Sequence, residues 1–285
     1  MAEGINTTSI SLPTSVSDQI FAKAQEQSVI MQLAQPIELP GNGLTIPVVT
    51  GDPEVDWASE TDEKTVSEHT LQTKDMKGYT LAVIEPFSNQ FRDNNEALYE
   101  ELVNRLPALL AKKFDQTCFF GAAPGTGFDT LADATAIDIS TKTYDGFVDA
   151  IDSVSDADAE LDGWALSPKA RTILLKAKDS QNRPLFISNA AVDGGINSVL
   201  SIPATFSKAA AKDKVVGFGG DWTGARYGIV KSVDISVSDQ ATLTSGEKTL
   251  NLWQRNMFAV RAEFEVGFVV RDTAEFVKLT NGATA

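Results

Sequence analysis

Residues Asp93 to Gly121 read DNNEALYEELVNRLPALLAKKFDQTCFFG. Along this stretch Leu98, Leu102, Leu106, Leu109 or Leu110, Phe114 and Cys118 recur at the spacing of one helical face. Asp93, Asn94 or Asn95 can cap its start, and Gly121 is a natural stop. Pro107 lies inside it and removes one backbone hydrogen bond, at a cost of ~3 kcal/mol, so a bend is expected near Val103 to Pro107.

On either side of this helix the period changes. Tyr79, Leu81 and Val83 alternate toward Glu85-Pro86, which reads as a strand. Far downstream, Met257, Ala259, Arg261 and Glu263 alternate with Phe258, Val260, Ala262, Phe264, Val266 and Phe268, the pattern of a half-buried strand. Between them, Phe147, Ile151 and Val154 mark a helix and Trp164 to Leu166 a strand. Ser167-Pro168 is an N-cap followed by proline at the first helical position. Val215 to Gly219, Tyr227 to Val230, and Phe276 to Leu279 are further strands. The class is mixed α/β (α+β). An expected division follows: an arm over 1–45, a projecting hairpin over 46–80, a domain built from 81–125 and 246–285, and a second domain over 126–245.

The hairpin is the unusual part. Leu44 to Val49 is a strand candidate, and Thr65 to Lys77 carries enough Thr, Val and Leu for its partner. Between Gly51 and Glu68 stand seven carboxylates, Asp52, Glu54, Asp56, Glu60, Asp62, Glu63 and Glu68, against Lys64 alone, a local net charge of −6. Only Val55, Trp57 and Val66 are large and apolar there, so the stretch cannot bury a core of its own. In the N-terminal arm, Pro13 to Ser17 open a helix with Asp18 in its first turn, and Pro36, Pro40 and the glycines at 41 and 43 end it.

The 285 residues carry a formal net charge of −15, with 42% hydrophobic residues, one cysteine and one histidine. Such an acidic surface repels phosphate, which argues against nucleic-acid binding by counterion release and against anionic membranes. Cys118 alone allows no intrachain disulfide and no cysteine-cluster zinc site. The start lacks the basic and apolar parts of a signal peptide, and no apolar run approaches the ~20 residues of a membrane helix. The expectation is a soluble protein made in the cytoplasm.

Candidate chemistry is thin. His69 has neither a second histidine nor a cysteine cluster, and no G-x-S-x-G elbow accompanies it. The glycine-rich Gly121-Ala-Ala-Pro-Gly-Thr-Gly127 follows a helix, where a phosphate loop would follow a strand and end in Gly-Lys-Ser/Thr. Asp158-Ala-Glu160-Leu-Asp162-Gly163 resembles the opening of a calcium loop, but its twelfth position is Lys169, not glutamate. No cofactor and no metal is expected.

The order of the pieces resembles the Hong Kong 97-type major capsid proteins of tailed bacteriophages. The resemblance rests on Leu12 to Ile20 in the arm, Trp57-Ala-Ser-Glu60 in the hairpin (the family's E-loop), and Ile84 to Asp93 leading into the spine helix. It continues through Phe114-Asp115 and Phe119-Phe120-Gly121 at that helix's end, then Trp164 to Pro168, Leu174 to Asp179 and Arg183 to Phe186. It closes with Gly219-Gly-Asp221-Trp222, Trp253 to Phe268, and Ala274-Glu-Phe276. Each motif is short; their order and spacing carry the likeness.

The resemblance implies a shell-building subunit with no catalytic role. It implies an axial domain (126–245) around hexamer and pentamer axes, a discontinuous peripheral domain with the long spine helix at the edges, and an E-loop lying over a neighbour. It also implies a virion location, assembly in the host cytoplasm, a portal, and packaged double-stranded DNA touched only non-specifically. Family-like residues begin almost at Met1, so either a separate scaffolding protein or a chain shown after cleavage is expected, with the initiator methionine favouring the former. An encapsulin-type nanocompartment shell is the alternative within the fold, and an α/β hydrolase or acidic binding protein the alternative outside it. Copies bearing the −6 hairpin would repel at close range, so its counter-surface on a neighbour should be basic. Candidates are Arg105, Lys112 and Lys113 on the helix, with Arg255, Arg261 and Arg271 on the return strands. Some relatives join a hairpin lysine to a neighbour's asparagine; Lys64, Lys74 and Lys77, with Asn256, Glu263 and Glu265, are available, but no such cross-link is expected.

Overall fold

The computed structural model describes residues 22–49, 57, 71–91, 95–141, 143–179, 181–186, 197–246 and 248–282. Asp93 and Asn94, His69, and most of the acidic hairpin lie outside the described residues. Two sheets organise the chain. The first has four strands in the order β1 (Gln35–Glu38), β10 (Ala225–Ser238), β13 (Met257–Val270), β4 (Tyr79–Ser88), antiparallel except for β1. Helix α3 (Asn95–Phe120), unbroken through Pro107, packs on one face of it.

The alternation in β13 sets that face. Phe258, Val260, Ala262, Phe264, Val266 and Phe268 are buried and share a core with Leu106, Leu110, Phe114 and Cys118 of α3. Phe114 meets Phe268 edge-on, with ring centroids 6.5 Å apart. Each such side chain contributes roughly 1.5–3 kcal/mol of burial. Arg261, Glu263 and Glu265 point the other way, where Arg261 meets Ser236 and Glu263.

The second sheet has six strands in the order β5 (Thr135–Asp138), β14 (Phe276–Thr280), β9 (Val215–Gly220), β6 (Gly163–Leu166), β8 (Ile202–Phe206), β7 (Ser198–Val199). Helices α4 (Thr143–Ser155) and α5 (Pro168–Lys176) cover one face through Phe147, Ala150, Val154, Ala170 and Leu174. Ser167 caps α5 as expected, accepting from the Ala170 N–H at 3.3 Å, with Pro168 in the first turn. Two hairpins complete the strands: β2 (Leu44–Val49) with β3 (Leu71–Met76), and β11 (Thr242–Ser245) with β12 (Lys248–Asn251).

The sheets do not divide at residues 245 and 246. β10, placed with the 126–245 unit, pairs with β13 in the four-stranded sheet. β14, placed with the 246–285 unit, lies between β5 and β9 in the six-stranded one. The chain therefore crosses between the sheets three times: through α3 between β4 and β5, at 221–224, and at 271–275. Alternation shows that a strand has one buried face but not which sheet supplies its partner.

The arm also departs from expectation. Helix α1, described over 22–27, stops at Ser28, and a second short helix, α2 (Val29–Leu33), begins after it. The helical part ends at Leu33, ahead of Pro36 as read, and Pro36 itself lies in β1, an edge strand where a missing N–H is tolerated.

Candidate assembly surface

The hairpin β2–β3 is rooted firmly. Met76 is wholly buried and packs with Leu39, Ile46 and Val269. The Lys74 ammonium binds Asp129 at 3.1 Å and the Val270 carbonyl at 2.9 Å. The Lys77 N–H donates to the Gly127 carbonyl at 2.8 Å. Gly127 has a positive φ of 79° that a side chain rarely adopts, so the glycine-rich stretch serves as a seat for the hairpin's base. Trp57, the one described residue within 50–70, is 103% exposed. Asp52, Glu54, Asp56, Glu60, Asp62, Glu63 and Glu68 lie outside the described residues.

The six basic candidates occupy different settings. Lys112 and Lys113 are exposed on α3 and have no ion partner among the described residues. Arg105, on the same helix, stands 3.8 Å from Glu85 of β4. Arg255 is exposed in the short turn before β13, next to Trp253, which is itself 75% exposed. Arg261 lies on the face of the sheet away from α3. Arg271 is committed within its own chain: it binds Asp221 at 3.0 Å and Glu275 at 2.6 Å. Burial raises the Glu275 carboxyl above its ordinary range despite that partner, and the Glu275 carboxylate holds the Arg271 guanidinium more firmly protonated. This cluster ties together the two short crossings between the sheets, 221–224 and 271–275.

A second buried charge was not anticipated. Asp115 of α3 is fully buried and accepts from the Ser28 hydroxyl at 2.6 Å, the Val29 N–H at 3.0 Å and the Ile30 N–H at 3.3 Å. It takes two N–H groups that would have continued α1, breaks the arm helix at Ser28, and fastens the arm to the spine helix. Burial pushes its carboxyl up to about 6, against the lowering effect of the three donors. The same burial, with the Asp115 charge nearby, raises the Cys118 thiol far out of reach of ionisation. The signal was present in sequence: Asp115 stands between Phe114 and Cys118 on the stripe that must be buried.

Several clefts open among the described residues. One of about 440 Å³ is lined by Phe119, Phe120, Lys212, Lys214 and Lys278. Another of about 280 Å³ sits at the hairpin root. No group of three potential metal ligands occurs among the described residues, and Asp162 of the calcium-like stretch accepts instead from the Trp222 N–H.

A family model described as the phage capsid family matches residues 9–281. The chain is 30% identical over 278 residues to the "Probable major capsid protein gp17" of Mycobacterium phage D29, covering 92% of this chain and 87% of that one. It is 29% identical over 283 residues to the protein of the same name from Mycobacterium phage L5, covering 92% and 86%. Among solved structures it superposes on a chain of Mycobacterium phage Adephagia with a TM-score of 0.75, at 20% identity, over 100% of this chain and 96% of that one. A chain of Mycobacterium phage Cain gives 0.75 at 21% identity, over 91% and 92%.

Proposed function

The chain belongs to the phage capsid family, and from that premise we propose that its rooted acidic hairpin is the clasp through which neighbouring copies hold one another in a shell. It is a major capsid protein of the Hong Kong 97-type fold, a structural component of the virion that assembles with copies of itself. The relatives named above are phage proteins, which favours the phage shell over the nanocompartment.

The unit around the six-stranded sheet gathers at the pentamer and hexamer axes, and the unit around α3 and the four-stranded sheet lines the edges. The shell encloses double-stranded DNA, touched only non-specifically; the net charge of −15 works against any tight nucleic-acid site. A separate scaffolding protein and a portal take part, and assembly precedes lysis in the host cytoplasm. The work is structural, with no activity toward external substrates.

The observation that supports the clasp is the contrast between the two ends of the hairpin. Its base is tied down by Lys74, Met76 and Lys77, while Trp57 has no cover from its own chain. A lone subunit has no use for a fully exposed tryptophan amid carboxylates. The counter-surface is basic; Lys112, Lys113 and Arg255 fit it better than Arg261 and Arg271, whose charges already meet carboxylates of their own chain. Exposed pairs are worth ~0.2–1 kcal/mol each, so the effect comes from repetition round the shell. Deleting residues 54–68 should leave a subunit folded by circular dichroism that forms no stable particles by electron microscopy. Normal particles from that variant would refute the clasp.

A further inference from the structure

The six-stranded sheet has a second face. Val277 and Leu279 of β14 pack toward α4 and α5, so Lys278 between them turns the other way, beside its cross-strand partner Phe218 of β9. The end of α3 lands there. Phe119 stacks on Phe218 with ring centroids 4.7 Å apart, and Phe120 meets that ring edge-on at 5.3 Å. The cleft of about 440 Å³ opens at this junction, with Phe120 and Val215 half-buried in its lining and Lys212, Lys214 and Lys278 around them.

The backbone fixes the positions of these lysines. Lys212 and Val215 exchange main-chain hydrogen bonds of 3.2 and 2.9 Å. Asp213 turns the chain between them at a φ of 53°, a left-handed conformation that aspartate tolerates. The Lys214 carbonyl accepts from the Asn281 N–H at 2.8 Å, which ties this turn to the end of β14. The Lys278 ammonium gives one hydrogen to the Ala132 carbonyl at 2.8 Å and keeps two.

The result is a basic place on an acidic protein. Among the described residues Asp213 is the one carboxylate in the lining, so its charge is 3 − 1 = +2, in a chain whose net charge is −15. The C-terminal end of α3 adds roughly half a negative charge and does not cancel that surplus. Charges more than ~8 Å away are screened at physiological salt, so a bound group answers to the local surplus. The cleft therefore suits an anion, and its apolar lining suits one with an apolar part. A DNA backbone would leave Phe120 and Val215 uncovered. Lying across the rim, it would also meet the exposed Asp133, next in the chain to Ala132 of the lining.

We propose that this cleft binds a short acidic segment of a partner protein. The segment sets a bulky apolar side chain against Phe120 and Val215, and its flanking carboxylates meet Lys212, Lys214 and Lys278. The site needs no second copy of the chain and is independent of the hairpin clasp.

Isothermal titration calorimetry on the full-length protein tests it. The probe is a short synthetic peptide of glutamates flanking one phenylalanine. It should bind, and the same peptide with serine in place of phenylalanine should bind more weakly. Lys212→Ala with Lys214→Ala should weaken the phenylalanine peptide by roughly twofold to thirtyfold, the range for two exposed charge pairs. Lys169→Ala with Lys176→Ala removes the same charge from α5, on the opposite face, and should leave binding unchanged. Circular dichroism checks that each variant folds, and Lys212→Ala alone carries the test if the pair does not. A wild type that ignores the peptide, equal binding of the two peptides, or equal loss from both pairs of substitutions would overturn the site. A short DNA duplex that binds more tightly than the peptide and loses affinity with Lys212 and Lys214 would overturn the choice of partner.

Discussion

Asp115 offers a perturbation whose sign and size follow from the structure. Its carboxyl, ordinarily at 3.8, is pushed to about 6 because burial penalises the charged form more than the Ser28, Val29 and Ile30 donors favour it. A displacement of that size carries about 3 kcal/mol between the two protonation states. The folded state binds the proton more tightly than the unfolded chain, so this contribution is fully present below about pH 3.8 and is lost as pH rises through about 6. Between about pH 7.5 and pH 5 the group alone should add roughly 1.4 kcal/mol of stability on acidification. Other carboxylates titrate in that range, so the comparison is with Asp115→Asn, which cannot ionise and keeps one acceptor for the arm. Urea unfolding of the subunit, followed by circular dichroism at several pH values, should show the wild-type stability rising more steeply with acid than that of Asp115→Asn. Asp115→Ala strands three buried donors and should cost more at every pH, at about 1–3 kcal/mol for each unsatisfied group at most. Parallel pH profiles for wild type and Asp115→Asn would refute the reasoning.

Arg271→Ala leaves Asp221 and the buried Glu275 without a counter-charge and should lower stability by about 1–3 kcal/mol in thermal melts; Arg271→Lys should recover only part, since one ammonium cannot reproduce the fork across both carboxylates. Gly127→Ala places a methyl group 3.0 Å from the Asp75 carbonyl at a φ of 79°. It should cost about 1–2 kcal/mol and make the β2–β3 hairpin more sensitive to limited proteolysis. Particles boiled in denaturant should run as a monomer band; of the three candidate lysines, Lys74 is already held by Asp129 and Val270, and a ladder of covalent oligomers would refute this.

Local periodicity determined much of this protein without help. The three-to-four spacing of Leu106, Leu110, Phe114 and Cys118, the two-residue alternation of β13, and the Ser167-Pro168 cap each state which side of an element is buried. A side chain's direction follows from backbone geometry that the neighbours in sequence already specify. The acidity of residues 51–68 and the isolation of Trp57 were equally legible, because charge and the lack of apolar neighbours are properties of composition. What the pattern could not show is which buried faces meet. β10 and β14 exchanged sheets relative to expectation, and β1 formed across Pro36, because pairing depends on partners that lie tens to hundreds of residues away. The two buried ion and hydrogen-bond centres, Asp115 with Ser28 and Arg271 with Asp221 and Glu275, were decided only by tertiary structure. A charge survives burial where distant donors converge on it, and convergence is a property of the folded chain, not of any stretch within it.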